Sequence, residues 1–363
     1  MTPSLQRLIL ISSIGKGSHV YSSCADRLTQ FNEFPTICAV KAFVTGGTGF
    51  IGSHLIEYLL NQKNADVYAL VRNRNRLKWL EGLDIHILEG DLFSIPPLPG
   101  DIEFVFHIAG VTKANQPAKY YTVNQQGTAS LLRALEAQCP CLKRFILLSS
   151  QAATGPSHSG QPVKENQLPS PISDYGRSKL QSEYEALDYK NLFPVVIFRA
   201  STIFGPRDPV LLPYFRIIKR GILPSLGSKP RYVSLCYVKD LIKAFDLSTK
   251  KPVQSGDIFH IAHSIPYRWD DIGLAAGRAM NKNLRTIKLP LCTLYPYYLV
   301  AEILGKIQNN PSLLSREKYC EMKQKGWIAD TEAVGERLDF SPQFSLQHAI
   351  QETIDWYREK GWL

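Results

Sequence analysis

Long apolar runs are what this 363-residue chain most plainly lacks. No stretch reaches the roughly 18 apolar residues of a membrane-spanning helix. The nearest approach, Leu289 to Leu304, contains prolines and is followed by Lys306, which predicts a buried or interfacial helix instead. Leu8 to Ile11 is too short for the apolar core of a signal peptide. Cysteine is sparse: seven residues, an odd number, scattered except for Cys139 and Cys141. With no histidine or second pair beside that Cys-Pro-Cys, a metal site does not follow, and reduced thiols in a cytoplasmic protein fit best. Acid is the minority charge, 32 Asp and Glu against 42 Lys and Arg, for a net charge of +10. The basic excess is scattered apart from Arg72 to Lys78, and it is not interleaved with aromatics as a nucleic-acid surface would be. It reads as a solvated basic surface that also suits a phosphate-rich small molecule.

What is present is an alternation of strand and helix signals. Residues 1–38 are Ser-rich and without sustained periodicity, and predict a poorly ordered extension ahead of a domain recognisable from about Val40. Short apolar runs at Ala39 to Thr45, Val67 to Val71, Ile85 to Leu88, Phe104 to Ile108, Phe145 to Leu148 and Val195 to Phe198 predict buried strands. Between them, Phe50 to Leu60, Ala118 to Ala137 and Asp174 to Tyr189 carry helical spacing. Continuous apolar strands alternating with helices predict a doubly wound, parallel α/β sheet of Rossmann type. After Gly205 the pattern changes to Pro-rich loops and short helices, with returning strands near Ser234 to Val238 and Ile258 to Ala262, and an amphipathic helix over Ser345 to Leu363. The predicted organisation is a nucleotide-binding domain over 39–205, with returning strands near 233–263. A smaller C-terminal lid for the substrate is predicted over 206–232 and 264–363.

Thr45-Gly46-Gly47-Thr48-Gly49-Phe50-Ile51-Gly52 follows the first strand and opens the first helix. In that context Gly46 permits a tight turn, Gly49 lets backbone approach a pyrophosphate, and Gly52 lets helix pack on strand. The helix N–H groups and dipole then hold the phosphates. About twenty residues further on, this fold commonly carries an acid for the adenosine ribose. Here the chain reads Val71-Arg72-Asn73-Arg74, with no carboxylate. Arg72 is placed to pair with a 2′-phosphate, so NADP is favoured over NAD.

Tyr175-Gly176-Arg177-Ser178-Lys179 lies on a predicted helix, where Tyr175 and Lys179, four apart, share a face. A free phenol titrates near pH ~10. A neighbouring ammonium and a cationic nicotinamide are expected to lower that value into a working range. Lys179 is also placed to bond the nicotinamide ribose. Ser149 and Ser150 end the fifth strand, at the sheet edge where ligands bind in such folds, and a hydroxyl there can orient a substrate oxygen.

With these residues in place the chain resembles the extended short-chain dehydrogenase/reductase family, the NAD-dependent epimerase/dehydratase group, over about residues 40 to 363. The glycine cradle matches, as does Gly90-Asp91-Leu92, whose Asp91 the resemblance assigns to the adenine. His107-Ile108-Ala109-Gly110 matches the loop lining the cofactor, and Val123 to Thr128 the helix with a structural asparagine, Asn124. Ser150, Tyr175 and Lys179 match the active site. Phe198 to Pro206 resembles the segment beside the nicotinamide, with Ala200 replacing a proline, and Tyr237-Val238-Lys239-Asp240 resembles a Tyr-Val-Asp-Asp element. A helix-mediated homodimer is implied by the resemblance alone.

Two departures bear on the substrate. Val233 stands where sugar-nucleotide members place an arginine for a phosphate, and no Pro-x-Arg-x-Gly-Asp element occurs. The stretch Gly205 to Pro213 is closer to the hydroxysteroid dehydrogenase and flavonol-type reductase branches, and an apolar lid including Tyr295 to Tyr298 suits a hydrophobic substrate. The first reading is an NAD(P)-dependent alcohol/ketone oxidoreductase. The alternatives are a sugar-nucleotide epimerase or dehydratase with tightly bound NAD, and a non-catalytic cofactor sensor on the same fold.

Overall fold

The first strand, β1 (Lys41–Thr45), shows how the layers arise. Ala42 and Val44 point into one hydrophobic core and Phe43 into another, as strand alternation requires. The computed structural model describes residues 40–158, 160–308, 312 and 315–363, so the expectation for residues 1–38 lies outside them.

After β1 come α1 (Phe50–Lys63), β2 (Asp66–Val71), β3 (His86–Glu89) and β4 (Phe104–His107). A helical stretch follows, built of α2 (Pro117–Tyr120), a wider π-helical turn over Tyr121–Gln126, and α3 (Gly127–Gln138). Then come β5 (Arg144–Ser150), the single turn α4 (Gln151–Thr154), α5 (Asp174–Asp188) and β6 (Val195–Ala200). Helix α5 starts where it does because the Ser173 hydroxyl accepts from the Gly176 N–H at 3.2 Å, satisfying one of the free donors of its first turn.

The second half runs β7 (Thr202–Phe204), α6 (Leu212–Lys219), β8 (Ile222–Leu226), β9 (Tyr232–Val233), β10 (Leu235–Tyr237) and α7 (Val238–Lys250). It continues with β11 (Asp257–Ile261), β12 (Tyr267–Arg268), α8 (Trp269–Ala279), β13 (Arg285–Leu289) and α9 (Leu291–Ile307). Helix α10 (Arg316–Lys323), β14 (Gly326–Trp327), α11 (Glu332–Leu338) and α12 (Leu346–Glu359) complete it.

The main sheet has seven strands in the order β3-β2-β1-β4-β5-β6-β11, every neighbouring pair parallel. This is the doubly wound Rossmann-type α/β sheet that the strand pattern predicted. Strand order reverses between β1 and β4, so a crevice opens beyond their carboxyl ends. Four of the six residues of β6 are fully buried apolar side chains, which is why the strand reads as a continuous hydrophobic run.

One apolar helix turns most of its surface outward. Helix α9 forms where a buried or interfacial helix was predicted, and only Tyr298 and Gly305 are buried in it. Tyr297, Val300, Ile303, Leu304 and Ile307 are 48–75% exposed. Each such side chain left in water forgoes much of the roughly 1.5–3 kcal/mol that burial is worth.

Candidate active site

The cradle is shaped by contacts that exclude side chains. A Cβ on Gly46, whose φ is +76°, would lie 2.7 Å from the Ala109 nitrogen, and one on Gly52 would lie 2.3 Å from the Gly46 carbonyl oxygen. These glycines serve the packing of turn, strand and helix. A Cβ on Gly49 meets only the Gly46 oxygen, at 3.2 Å, so the space beside it is clear of other protein atoms. No side chain caps α1 and no acid sits in its first turn, which leaves N–H donors directed at that space. Thr48, Phe50 and Ile51 lie in this turn, each only partly buried. The arrangement fits a dinucleotide pyrophosphate.

Arg72 follows the last residue of β2, is exposed, and has no hydrogen-bond or ion-pair partner among the described residues. Arg74 is tied down: it donates to the Ile87 carbonyl at 2.8 Å and lies 3.5 Å from Glu89. Of the arginines in this loop, Arg72 is therefore the one at the strand end with a free guanidinium. Asp91 uses Oδ1 to accept from the N–H groups of Phe93 (2.8 Å) and Ser94 (3.0 Å), which fixes the turn after β3. The Leu92 side chain is buried, in contact range of Gly127, so any role at the cofactor falls to its backbone.

Beneath the loop after β4, Asn124 acts as a staple. Its Oδ1 accepts from the Val111 N–H at 2.8 Å, and its Nδ2 donates to the Val111 carbonyl (3.1 Å) and the Ser178 hydroxyl (2.9 Å). The loop carrying Ala109 and Gly110 is thereby fixed to α5. Asn124 lies in the π-helical turn, a distortion that sets its side-chain direction. His107 bridges Thr45 (2.7 Å) and Thr128 (2.9 Å). Burial, then the Lys179 charge, push its imidazole down to about 3, so it is neutral.

Ser150, Tyr175 and Lys179 come together at the carboxyl end of β5. The Ser150 hydroxyl accepts from the Ala152 N–H at 3.1 Å, and its influence on the Tyr175 phenol is a downward pull on the pKa. Close approach of α5 to α4 brings Tyr175 to this end of the strand, and Gly176 permits it: a Cβ there would clash with the Ala152 oxygen. The Tyr120 ring stands 6.1 Å from the Tyr175 ring. The sequence expectation for Tyr175 counts the charge of a nicotinamide as well as Lys179, whereas burial dominates among the protein's own groups. Burial pushes the phenol up to about 12, against a smaller downward pull from Ser150. Lys179 is directed at the Leu148 carbonyl, 2.7 Å away, and burial pushes its ammonium down to about 8. Desolvation is the largest cause of both shifts, because both groups sit on the inner face of α5.

A buried network supporting the site went unnoticed in the sequence. Arg199 donates to both oxygens of Glu183, through Nε at 3.1 and 3.2 Å and Nη2 at 2.7 Å, and both side chains are at most 3% exposed. The Ser149 hydroxyl donates to the same carboxylate. The one available signal was spacing: Glu183 follows Lys179 by four, as Lys179 follows Tyr175, so all three share a helix face. Helix α10 covers the start of α5. Glu321 accepts from the Ser173 hydroxyl (2.8 Å) and Glu317 from the Asp174 N–H (2.7 Å).

Glu183 is the group that raises the Lys179 pKa against burial. In Glu183→Gln the ammonium should therefore lose its proton at lower pH, and the alkaline limb of the turnover profile should move to lower pH. A limb that stays in place while the enzyme remains folded would show that Lys179 does not set it.

This glycine cradle on a seven-stranded parallel sheet defines a nucleotide-binding α/β enzyme of Rossmann type. The chain matches the NAD dependent epimerase/dehydratase family over residues 42–262 and belongs to that family. It is similar to a ceramide reductase of Caulobacter vibrioides, 28% identical over 326 residues, 88% of this chain and 95% of that protein. A putative dihydroflavonol 4-reductase of Synechocystis is 28% identical over 345 residues, with the same coverage. Among solved structures, the UDP-glucuronic acid 4-epimerase of Bacillus cereus in complex with NAD shares the fold, with a TM-score of 0.70 and 23% identity, over 88% of this chain and 99% of that one.

Proposed function

We propose that this protein is an NADP-linked oxidoreductase acting at a carbonyl or carbinol carbon. Tyr175 is the proton donor, Ser150 orients the substrate oxygen, and Lys179 supplies a cation that favours the phenolate left behind. NADPH held on the cradle would supply the hydride. The observation that carries this reading is the packing of α5 on the end of β5, where Gly176 lies against Ala152 and Lys179 donates to the Leu148 carbonyl at 2.7 Å, which sets Tyr175 and Lys179 on the side of Ser150 at the carboxyl edge of the sheet. Residues 39–205, with the strands near 233–263, carry the cofactor, and 206–232 and 264–363 cover the substrate. The substrate class is an apolar ketone or alcohol, supported by Val233 in place of a phosphate-binding arginine and by the two reductases among the relatives. A panel of apolar ketones and UDP-sugars tests this: stoichiometric NADPH oxidation with a ketone is expected. Sugar-nucleotide turnover without net NADPH use would overturn it in favour of an epimerase.

Arg72 carries the cofactor preference. Arg72→Asp removes a charge-assisted pair and sets a like charge against the 2′-phosphate, so NADP affinity should fall by about 1.5–3 kcal/mol, roughly 10–150-fold. The new carboxylate can accept from the 2′-hydroxyl of NAD, so preference should invert. Titrating both cofactors into both proteins gives four dissociation constants. An unchanged ratio removes Arg72 from the site.

A further inference from the structure

The exposed face of α9 is an apolar feature that the proposed chemistry leaves unused. Pro296, Tyr297, Val300, Ile303, Leu304 and Ile307 recur at intervals of three and four, so they form one stripe along a 17-residue helix about 25 Å long. The helix's single carboxylate, Glu302, lies on the other side, bonded to Lys306 (2.9 Å) and Arg316 (3.1 Å), so the stripe carries no acid. At its N-terminal end opens a cleft of about 560 Å³ lined by Lys229, Arg231, Lys288, Lys323 and Lys325. None of these five cations is paired with a carboxylate among the described residues.

From this pairing of an apolar stripe with an unpaired basic cluster we propose that α9 docks the protein on an anionic lipid bilayer, lying in the interface plane. The physical fit is specific. A helix with one apolar face sinks that face to the level of the acyl chains, while neighbouring Lys and Arg meet anionic headgroups. Tyr297 is the side chain type that settles at that boundary. Among the described residues no helix is long and apolar enough to cross a membrane, so α9 lies on the bilayer and does not span it. A second copy of this chain is a poorer occupant, since its own stripe carries no acid to meet these cations.

The docking helix is close to the proposed site. The Gly305 carbonyl accepts from Asn115, in the loop after β4, at 3.2 Å, and the Tyr298 hydroxyl meets Met322 of α10. Helix α10 in turn holds the start of α5, where Tyr175 sits. An apolar substrate dissolved in the bilayer would meet the enzyme on the side of the proposed lid.

The test is flotation of the full chain with phosphatidylcholine vesicles, with and without phosphatidylglycerol. Wild type should float with the anionic vesicles and separate from them in high salt, which screens the headgroup attraction. Replacing Tyr297, Val300, Leu304 and Ile307 by Ser, on a surface where folding does not depend on them, should cut binding at least tenfold. An unchanged unfolding temperature shows that this variant remains folded. Lys288→Gln with Lys325→Gln should weaken binding to anionic vesicles. Wild type that stays in the soluble fraction, or a serine variant that floats equally well, would overturn the proposal. So would a wild-type dimer that fails to bind vesicles and that the serine variant converts to monomer, since the stripe would then be a contact between copies.

Discussion

Replacing Tyr175 by Phe should lower turnover by about 10²–10⁴-fold, the usual worth of a positioned acid or base. The ring stays beside Tyr120 and only the hydroxyl is lost, so the change tests proton donation and not packing. Cofactor affinity should stay within a few-fold, because the cradle and Arg72 belong to other elements. The pH behaviour has a defined sign. With its phenol up at about 12, Tyr175 is protonated through the neutral range, the state a donor needs for carbonyl reduction. Lys179, down at about 8, loses its charge first as pH rises. Reduction should therefore decline above about pH 8 in wild type, and Tyr175→Phe should be low at every pH. Turnover within a few-fold of wild type would remove Tyr175 from the chemistry.

Arg199→Met should destabilise the fold by about 3–5 kcal/mol, the cost of leaving a buried charge unpaired. Glu183 is at most 1% exposed and accepts three hydrogen bonds from this guanidinium, so water cannot replace them. Against a typical total stability of roughly 5–15 kcal/mol this is a large fraction. The double variant Glu183→Leu with Arg199→Met should recover most of the loss, because an apolar pair of similar volume is tolerated where half a salt bridge is not. The Ser149 hydroxyl would still lack its acceptor, at about 1 kcal/mol. Denaturant midpoints of the three proteins decide it: a single variant as stable as wild type would mean that the carboxylate finds another partner or a proton.

The seven core strands were legible because each is a short apolar run with glycine or helix signals at its end, and parallel sheets bury both faces. The cradle was legible for the same reason: Gly46, Gly49 and Gly52 stand in the order that strand, turn and helix demand. Ser150 and Tyr175 could be placed near one another because β5 ends at one and the helix spacing carries the other. What stayed hidden depends on distance in the chain. The Glu183–Arg199 pair joins residues 16 apart on different elements, and a charged residue in an apolar strand does not announce its partner. The direction of the Tyr175 and Lys179 shifts follows from desolvation, which depends on what covers a residue and not on its neighbours in sequence. Helix α9 was anticipated as buried or interfacial because composition alone cannot tell an apolar face turned to a core from one turned outward. The short parallel pair β8–β13 lacks a run long enough to be read in advance.

The most direct test of the account is the nucleotide balance of the purified protein. Denaturing it after dialysis should release little bound nucleotide. Supplied with NADPH and an apolar carbonyl compound, it should consume one NADPH for each alcohol formed. A protein that emerges with one equivalent of NAD tightly held, and that converts a sugar nucleotide with no net change in cofactor, would contradict the reading of this chain as an NADP-linked oxidoreductase.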